Sequence, residues 1–409
     1  MVNMRKSFSP LFDSLEHFDE IDMQFPKQDN LNYNDFKQTL SFLKSYRGSQ
    51  GTFNSYRREV ERFLQWCMII ANKSLQQLKR EDIEKYILFC QKPPKSWVGI
   101  KKAPRFITKE DKRIPNPEWR PFVVTISKGA HRTGERPDSK NFELSHSAVK
   151  ELFAILSTFY NYLLQEEYVF MNPIALIRQK SKFIRKLQGQ PKIRRLSELQ
   201  WQYVIKKAKA MAEDDPATHE RTFFMMSALY SMYLRISELS VSARWSPTMN
   251  HFNRDSDGNW WFITVGKGNK QRQIAVSNAM LFALKRWRKY LGLSLLPSPA
   301  DNSPLLPKIK GKGPITNTTY IRKIVQHCFD MAMKELHKDG LSEEAESMIE
   351  ATVHWLRHTG ISDDVKIRPR EHVRDDAGHS SGATTDKYVD VELRERHRTA
   401  RNKPIEDKN

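Results

Sequence analysis

The chain has few of the residues that stabilise small secreted domains or build metal sites. Its 409 residues include three cysteines, Cys67, Cys90 and Cys328, which are widely spaced and form no CxxC pair. Isolated cysteines in odd number argue against a disulfide framework and a cysteine zinc site, and they are typical of a reducing cytoplasm. The sequence also lacks the run of about 18 apolar residues that a membrane span needs. The N-terminus has no signal-peptide core, so we expect neither membrane nor secretory segments.

Acidic residues are too few to balance the basic ones. The chain has 68 lysines and arginines against 48 aspartates and glutamates, which gives a formal net charge of +20. A positive excess this large favours a polyanionic partner, and nucleic acid is the commonest one. Apolar residues still make up 39% of the chain, which is enough to form the cores of two domains.

Helical periodicity organises the first half of the chain. Apolar residues recur at steps of three and four in 53–67 and in 149–163, and a further helix is predicted around 82–88. Residues 1–32 are acidic in their middle, so we expect a loosely ordered lead-in rather than an arm that grips DNA.

A basic, proline-rich insertion at 92–140 interrupts these helices. It contains thirteen lysines and arginines, five acids and seven prolines. Basic side chains neutralise phosphates, and aromatic side chains can stack on bases, so we predict that the insertion contacts DNA. The alternative is a solvated loop with a few anchoring aromatics. The aromatic residues concerned are Trp97, Phe106, Trp119 and Phe122.

The second half of the chain follows a basic linker at 181–195, which has six lysines and arginines and no acid. Residues 260–265 and 271–276 are predicted to form a hairpin, because the glycines and the asparagine of 266–270 favour a tight turn. Residues 223–239 are predicted to form an apolar helix. The candidate DNA contacts from the insertion, the linker and the hairpin are Lys101, Lys102, Arg105, Lys112, Arg113, Arg194, Arg195, Lys270 and Arg272.

Two cations occupy unusual positions in this second half. Arg235 is the one charged exception inside the predicted apolar helix, in the segment YLRISEL, and Glu238 is a plausible ion-pair partner three residues on. Lys267 stands at the tip of the predicted hairpin, in GKGNKQ, which lacks the Walker A spacing of phosphate-binding loops. Taken alone, an internal ion pair and a solvated lysine would explain these residues.

Histidines, an arginine and a tyrosine follow towards the C-terminus. His354 and Arg357, in HWLRH, are three residues apart, so they share one helical face and can address one anion. An arginine between imidazoles would repel a dication, which makes this segment a poor metal site. His379 follows Gly378 at a turn, and Tyr388 comes nine residues later.

In this order, Arg…Lys…His-x-x-Arg…His…Tyr, these residues resemble the tyrosine recombinase family, which includes phage integrases and Xer-type recombinases. The matching segments are YLRISEL, GKGNKQR, HWLRHT and GHSSGATTDKYV, within 196–390. SYRREVERFLQW and YNYLLQEEYVFMNPI match the family's helical core-binding domain more loosely. The chain departs from the family at 232–233, where Thr-Gly is usual, at Ala377, where leucine is usual, and at 360–364, where alanines are common.

The resemblance implies a mainly α fold with a small antiparallel β-sheet, in which two domains form a C-shaped clamp on DNA. A SAM-like core-binding domain is expected at 33–180 and an α+β catalytic domain at 196–392, joined by the linker. Residues 393–409 are expected to form a polar tail.

The chemistry of a phosphodiester fits these residue types. Arg235 and Arg357 offer planar forks for the non-bridging oxygens, where charge develops during attack, and His354 and His379 can add hydrogen bonds. The resemblance implies that Tyr388 is the nucleophile and forms a covalent 3′-phosphotyrosine, without metal or cofactor.

Two further roles complete this set. The resemblance implies that Lys267 is the general acid for the leaving 5′-oxygen, which a lysine on an exposed hairpin tip can reach. Glu238 is interpreted as a residue that orients the site and takes no chemical part.

The expected function is therefore site-specific recombination that integrates, excises or transposes a mobile element. The partner would be a double-stranded recombination site, held by a homotetramer on two DNA sites that is a monomer or dimer in free solution. An accessory recombinase or directionality factor is a further expected partner. We expect a cytoplasmic, nucleoid-associated location in a bacterial or phage-derived system.

Three alternatives remain open from the sequence. Type IB topoisomerases and hairpin-forming telomere resolvases use a similar set of residues, although the Gly378-His379-Ser380 turn favours recombination. A DNA-binding regulator would not need Tyr388 together with both arginines. A metal nuclease could use the acidic pairs 363–364 or 375–376, and chelator-resistant cleavage would exclude it.

The general-acid role of Lys267 can be tested with modified DNA. Lys267→Ala should be severely slowed on ordinary DNA and largely rescued when the bridging 5′-oxygen is replaced by sulfur, because a thiolate leaving group needs no proton. The cleavage rates on the two substrates give the measurement. Arg235→Ala is the control and should show no rescue, since its partners are non-bridging oxygens. Equal slowing of Lys267→Ala on both substrates would move the role elsewhere, with Lys270 the next candidate.

Overall fold

The computed structural model describes residues 9–18, 30–46, 48–180, 183, 194–266, 268–386, 388 and 400–401. The chain divides into two compact units, residues 1–190 and residues 191–409. Most of the linker and tail predicted at 181–195 and 393–409 lies outside the described residues, and so does Lys267.

The first unit is mainly helical, with two short pairs of strands. Strands β1 and β4 pair in parallel, and β2 and β3 form an antiparallel hairpin. The elements are α1 (Asn30–Lys44), α2 (Gln50–Trp66), α3 (Arg80–Gln91), β1 (Val98–Gly99), β2 (Phe106–Lys109), β3 (Lys112–Pro115), β4 (Phe122–Val123), α4 (Lys128–Arg132), α5 (His146–Gln165) and α6 (Pro173–Lys180).

The helices predicted from periodicity in this half are present. Helix α2 begins after Ser49, whose hydroxyl accepts a hydrogen bond from the Thr52 amide, and α5 begins after Ser145, which caps the Ala148 amide in the same way. The apolar stripes of both helices lie in one hydrophobic core. Amphipathic spacing therefore located these helices, and the capping serines set where they begin.

The insertion at 92–140 does not offer its aromatic side chains to DNA. Trp97 and Phe122 are 2% and 1% exposed and belong to the core of the unit. Phe106 and Trp119 are 6% and 7% exposed, and the Arg105 guanidinium stacks on the Trp119 ring at 4.8 Å. The four rings are therefore packed inside the unit and are not available to stack on bases as the structure stands. The prediction that the insertion contacts DNA stays a prediction that rests on its exposed cations.

Part of the lead-in is also better ordered than its acidic composition indicated. Phe12 is fully buried and stacks on Phe36 with ring centroids 5.2 Å apart. Asp13 accepts two hydrogen bonds, at 2.7 and 2.8 Å, from the guanidinium of Arg113. Residues 9–18 therefore differ from the expected loose segment, because two phenylalanines, Phe12 and Phe18, lie in the core of the unit.

The second unit combines helices with a three-stranded antiparallel sheet of order β5-β6-β7. The predicted hairpin corresponds to β6 and β7, with Val265 opposite Gln271, and β5 adds a strand that the sequence did not indicate. The elements are α7 (Glu198–Asp214), α8 (Pro216–Ser231), β5 (Phe252–Arg254), β6 (Trp260–Val265), β7 (Gln271–Ala275), α9 (Asn278–Tyr290), α10 (Thr318–Lys338), α11 (Ser342–Ser347), α12 (Val353–Asp364), α13 (Arg370–Ala377) and α14 (Gly382–Asp386).

Helix α8 is shorter than the apolar run that predicted it. It ends at Ser231, and Tyr233 adopts a left-handed conformation with φ of 49°. Arg235 therefore lies outside the helix, where its backbone precedes a 3₁₀ turn at Ile236–Glu238. A residue at positive φ cannot continue an α-helix, so the placement of Arg235 inside the helix is corrected.

The three departures from the family pattern meet around Tyr233. Its ring is fully buried in a small cluster with Ile361, Val373 and Ala377. A Cβ added at Gly360 would lie 3.1 Å from the Tyr233 ring and would overlap the Tyr230 carbonyl oxygen. A tyrosine in place of glycine is thus accommodated by smaller residues at 360 and 377, which keeps α8 and α12 in close contact.

Two classes of feature are absent from the described ranges. No helix there is long and apolar enough to cross a bilayer. Within the same ranges, no group of three or more metal-ligating side chains converges on one point. The three cysteines are buried and unpaired.

The close contact at Gly360 generates a stability prediction. Gly360→Ala should destabilise the protein by about 1–3 kcal/mol, because the added methyl group has no space beside the Tyr230 carbonyl. Thermal unfolding compared with the wild type gives the measurement. Gly382→Ala is the matched control, since a Cβ there meets nothing within 4 Å. An unchanged unfolding temperature for Gly360→Ala would contradict the packing described here.

Candidate active site

A buried carboxylate holds two arginines at the end of the β6–β7 hairpin. Glu238 is 1% exposed, and its two oxygens accept hydrogen bonds at 2.7 and 2.8 Å from the guanidinium of Arg272. The Arg235 side chain donates to the same carboxylate at 3.1 Å, and the Arg235 amide donates at 2.7 Å. Burial alone would raise the pKa of Glu238, but these donors hold that pKa below its ordinary value. The ion pair predicted between Arg235 and Glu238 is present.

Two glycines allow the backbone to approach this ion cluster. A Cβ at Gly266 would lie 3.0 Å from both Arg272 and Glu238 and 3.1 Å from Arg235. Gly378 has φ of 66°, and a Cβ there would lie 2.8 Å from Arg272. The glycines next to Lys267 and His379 are therefore required by the close approach of backbone to guanidinium.

Arg357 joins the ends of two helices in the same region. Its guanidinium is 2% exposed and donates to the carbonyl of Tyr233, after α8, and to the carbonyl of Ala377, at the end of α13, the latter at 2.6 Å. It also lies 3.3 Å from Nε2 of His379. Burial, together with Arg235 and Arg272, lowers the pKa of Arg357 to about 9, so the side chain remains charged at neutral pH.

The candidate nucleophile lies between two imidazoles. The Tyr388 ring stacks on His358 with centroids 5.1 Å apart and on His379 with centroids 5.5 Å apart. His354 meets His358 edge to face at 4.5 Å. On the other ring nitrogen of His379, Nδ1 lies 2.9 Å from the hydroxyl of Thr385. The histidines and the tyrosine predicted from the sequence therefore converge, with His358 added to them.

The histidines of this stack are neutral at physiological pH. Burial, followed by the charges of Arg357 and Arg235, lowers the pKa of His379 to about 4 and also lowers that of His354. Burial and its neighbours lower the pKa of His358 to about 4. Burial raises the pKa of Tyr388, and the two arginines only partly oppose this, so the phenol is protonated.

The electrostatic balance of the site favours an anion. Arg235 and Arg272 share one carboxylate, Glu238, whereas the guanidinium of Arg357 bonds to backbone carbonyls. The imidazole of His379 beside them adds no charge at neutral pH. A phosphodiester brings the missing negative charge and acceptor oxygens for planar forks. The site therefore has the charge and the hydrogen-bond donors to bind an anion such as a phosphate.

Several candidate DNA contacts have other partners in the structure. Arg105 pairs with the buried Glu61, Arg113 pairs with Asp13, and Arg272 pairs with Glu238. Lys101 is exposed and lies 3.0 Å from Glu118. Arg195 is half-buried, whereas the side chains exposed to solvent include Lys102, Lys112, Arg194 and Lys270.

Sequence reasoning missed three members of the site. Arg272 was predicted to contact DNA, yet its bidentate hydrogen bonds to Glu238 place it beside the catalytic candidates. His358 and Thr385 had no assigned role, although both lie within the matching segments HWLRHT and GHSSGATTDKYV. A helical repeat of four residues from His354 to His358 was the available signal for a second imidazole on that face.

The acidic pairs considered for a metal nuclease have structural partners. Asp363 accepts a hydrogen bond from Tyr230, and Asp364 accepts one from Tyr233. Asp376 pairs with Arg368 at 2.7 Å, and Asp375 pairs with Arg374 at 2.9 Å. These contacts explain the acidic residues as part of the packing of α12 and α13.

Comparison with known proteins agrees with this fold. Residues 36–102 match the phage integrase N-terminal SAM-like domain. The XerH site-specific recombinase bound to palindromic difH substrate, in a post-cleavage complex, is similar with a TM-score of 0.56 and 16% identity, over 92% of this chain and 89% of that one. A lambda integrase fragment, solved as a dimer bound to a COC′ core site, is similar with a TM-score of 0.52 and 14% identity, over 92% of this chain and 99% of that one. A sequence search finds no match among curated proteins.

The fold is thus that of the tyrosine recombinases, which confirms the expected mainly α architecture with a small antiparallel sheet. The match at 36–102 lies in the first unit, where the resemblance implied a SAM-like domain. The roles of the residues in the catalytic segments stay a prediction.

The depressed pKa of His358 generates a prediction about pH. Unfolding restores its ordinary pKa of 6.5, so between that value and about 4 only the unfolded chain binds this proton, and stability falls as pH falls through this window. His358→Phe keeps a ring against Tyr388 but cannot titrate. This variant should therefore lose less stability than the wild type between pH 7 and pH 5, measured by thermal unfolding.

His372→Phe is the control for this experiment, because His372 is exposed and lies outside the stack. It should retain the pH dependence of the wild type. A His358→Phe variant with the same pH dependence as the wild type would show that the imidazole is not kept neutral by the fold.

Proposed function

We propose that this chain is a site-specific DNA recombinase that cleaves and rejoins DNA through a covalent 3′-phosphotyrosine formed by Tyr388. The observation that carries the proposal is the position of a protonated tyrosine stacked beside a surplus of buried guanidinium charge. The fold shared with XerH and lambda integrase supports it. Integration, excision or transposition of a mobile element is the biological task that we assign to it.

In this proposal the arginines act on the transition state. Attack by the Tyr388 oxygen adds charge at the non-bridging oxygens, and the positive charges of Arg235 and Arg357 stabilise it. The guanidinium of Arg357 is held in place by the carbonyls of Tyr233 and Ala377. Removing one such donor typically costs about 3–4 kcal/mol of activation free energy. Glu238 keeps Arg235 and Arg272 in place, so no rearrangement is required when the phosphate arrives.

Proton transfers complete the reaction. The phenol of Tyr388 must lose its proton as the phosphorus–oxygen bond forms, and the leaving 5′-oxygen must gain one. We assign the second transfer to Lys267 from its place in the hairpin turn. The broken bond's energy is retained in the phosphotyrosine, so the 5′-hydroxyl of a second duplex can reverse the step and rejoin the strands.

The partner that we propose is a double-stranded recombination site. XerH and the lambda integrase fragment are solved on DNA sites of this kind. Exposed cations are proposed as phosphate contacts, and they include Lys102, Lys112 and Lys270. A homotetramer on two sites would bring four strands together. We propose that the reaction takes place in the cytoplasm of a bacterial host, at the nucleoid.

The nucleophile is tested with a nicked suicide substrate. Wild-type protein should accumulate a covalent adduct, because the cleaved strand diffuses away and cannot reverse the step. Tyr388→Phe should bind the same DNA with unchanged affinity and trap no adduct, since it keeps the ring stack but lacks the attacking oxygen. Gel separation of the denatured protein–DNA adduct gives the measurement.

Tyr290→Phe is the matched control, because Tyr290 is exposed on α9 and away from the histidine stack. It should form adducts at the wild-type rate. A covalent adduct formed by Tyr388→Phe would refute the assignment.

Measuring the affinity for DNA at rising salt concentrations tests the phosphate contacts. Each neutralised phosphate should contribute roughly 0.9 to the slope of the logarithm of the binding constant against the logarithm of the salt concentration. Strand exchange between two labelled duplexes separates recombination from simple relaxation of supercoils.

A further inference from the structure

Thr385 lies between the histidine stack and the segment that carries Tyr388. Its side chain is buried, with 1% exposure, and its hydroxyl is 2.9 Å from Nδ1 of His379. Its backbone carbonyl accepts a hydrogen bond at 2.9 Å from the Tyr388 amide. Thr385 therefore links the imidazole and the candidate nucleophile through two short contacts.

The contacts of His379 define which of its nitrogens carries the proton. Arg357 lies 3.3 Å from Nε2, and a guanidinium nitrogen can only donate. Nε2 must therefore present its lone pair. The neutral ring then carries its proton on Nδ1, which donates to the Thr385 hydroxyl.

A bound phosphodiester reverses what His379 must offer. Its non-bridging oxygens are acceptors only, so a neutral His379 can bond to them only through a proton on Nε2. Nδ1 then becomes an acceptor and needs a donor. A hydroxyl can accept or donate by rotating about one bond, whereas a carboxylate or carbonyl oxygen in its place could only accept.

We infer that Thr385 is a positioning residue for His379, whose hydroxyl accepts from Nδ1 in the free protein and donates to Nδ1 when the phosphate is bound. The exchange is neutral overall: one proton leaves Nδ1 for water, and one from water arrives at Nε2. This inference rests on the proposed function, because the phosphate is the substrate of that reaction. It assigns to the threonine a role in the alignment of an imidazole, with no contact to DNA.

Single-turnover cleavage of the suicide substrate tests the inference. Thr385→Val has nearly the same shape but no hydroxyl, so it should cleave about 10- to 100-fold more slowly, as is typical when a partner that orients a functional histidine is lost. Its affinity for DNA should stay within about twofold of the wild type. Thr385→Ser restores the hydroxyl and should recover most of the rate.

Thr384→Val is the matched control, since the Thr384 hydroxyl contacts Ser381 at 3.2 Å and not His379. It should cleave at close to the wild-type rate. A merely structural role for Thr385 predicts that valine, which fits the buried space, is tolerated. Wild-type cleavage rates in Thr385→Val would therefore overturn the inference.

The tautomers provide a second readout that does not depend on cleavage. Side-chain ¹⁵N shifts of labelled histidines should show a proton on Nδ1 of His379 in the free protein and on Nε2 in the Tyr388→Phe complex with DNA. The His379→Gln spectrum assigns the signal. A proton on Nε2 in the free protein would also overturn the inference. Absence of any wild-type adduct would refute the proposed function instead, while the spectrum of the free protein would still decide the Thr385 contact.

Discussion

The second unit depends on one buried carboxylate placed among an excess of guanidinium groups. Glu238 is almost inaccessible to water, and it bonds to both Arg235 and Arg272. An unpaired carboxylate at this depth would take up a proton, and unpaired arginines would repel one another. Together they form a hydrogen-bonded platform of Glu238, Arg235 and Arg272 that carries a net positive charge. Gly266 and Gly378 are explained by the same platform, since any side chain there would meet a guanidinium.

This platform also determines the state of the neighbouring aromatic residues. Burial, and after it the charges of the surrounding arginines, disfavours protonation of the imidazole of His379 and lowers its pKa to about 4. Neutral rings can stack closely on Tyr388, whereas charged ones would seek water. Burial raises the pKa of Tyr388, so the phenol must lose its proton during the proposed attack. The excess of guanidinium charge at the site complements the phosphate that would bind there in the proposed mechanism.

Local sequence patterns predicted where the helices and strands lie better than they predicted which side chains are exposed on the surface. Amphipathic spacing located α2 and α5, and alternation with turn residues located the β6–β7 hairpin. The insertion was misjudged because composition reports how many cations and aromatics a segment has, and not which way they point. Arg105 and Arg113 are consumed by ion pairs with Glu61 and Asp13, carboxylates far away in the sequence. Such pairing is decided by strand register and helix packing, which a charge count does not contain.

The sequence by itself determined which chemistry to propose, because attack on a phosphodiester needs particular residue types and the ordered set from Arg235 to Tyr388 contains them. It also determined the helical character of the fold, since periodic burial is a local property of the chain. Only the tertiary structure decided the end of α8 at Ser231, the second arginine on Glu238 and the imidazole pair around Tyr388. Each of these joins residues from different elements, and their contact energies appear only once the chain has brought those elements together.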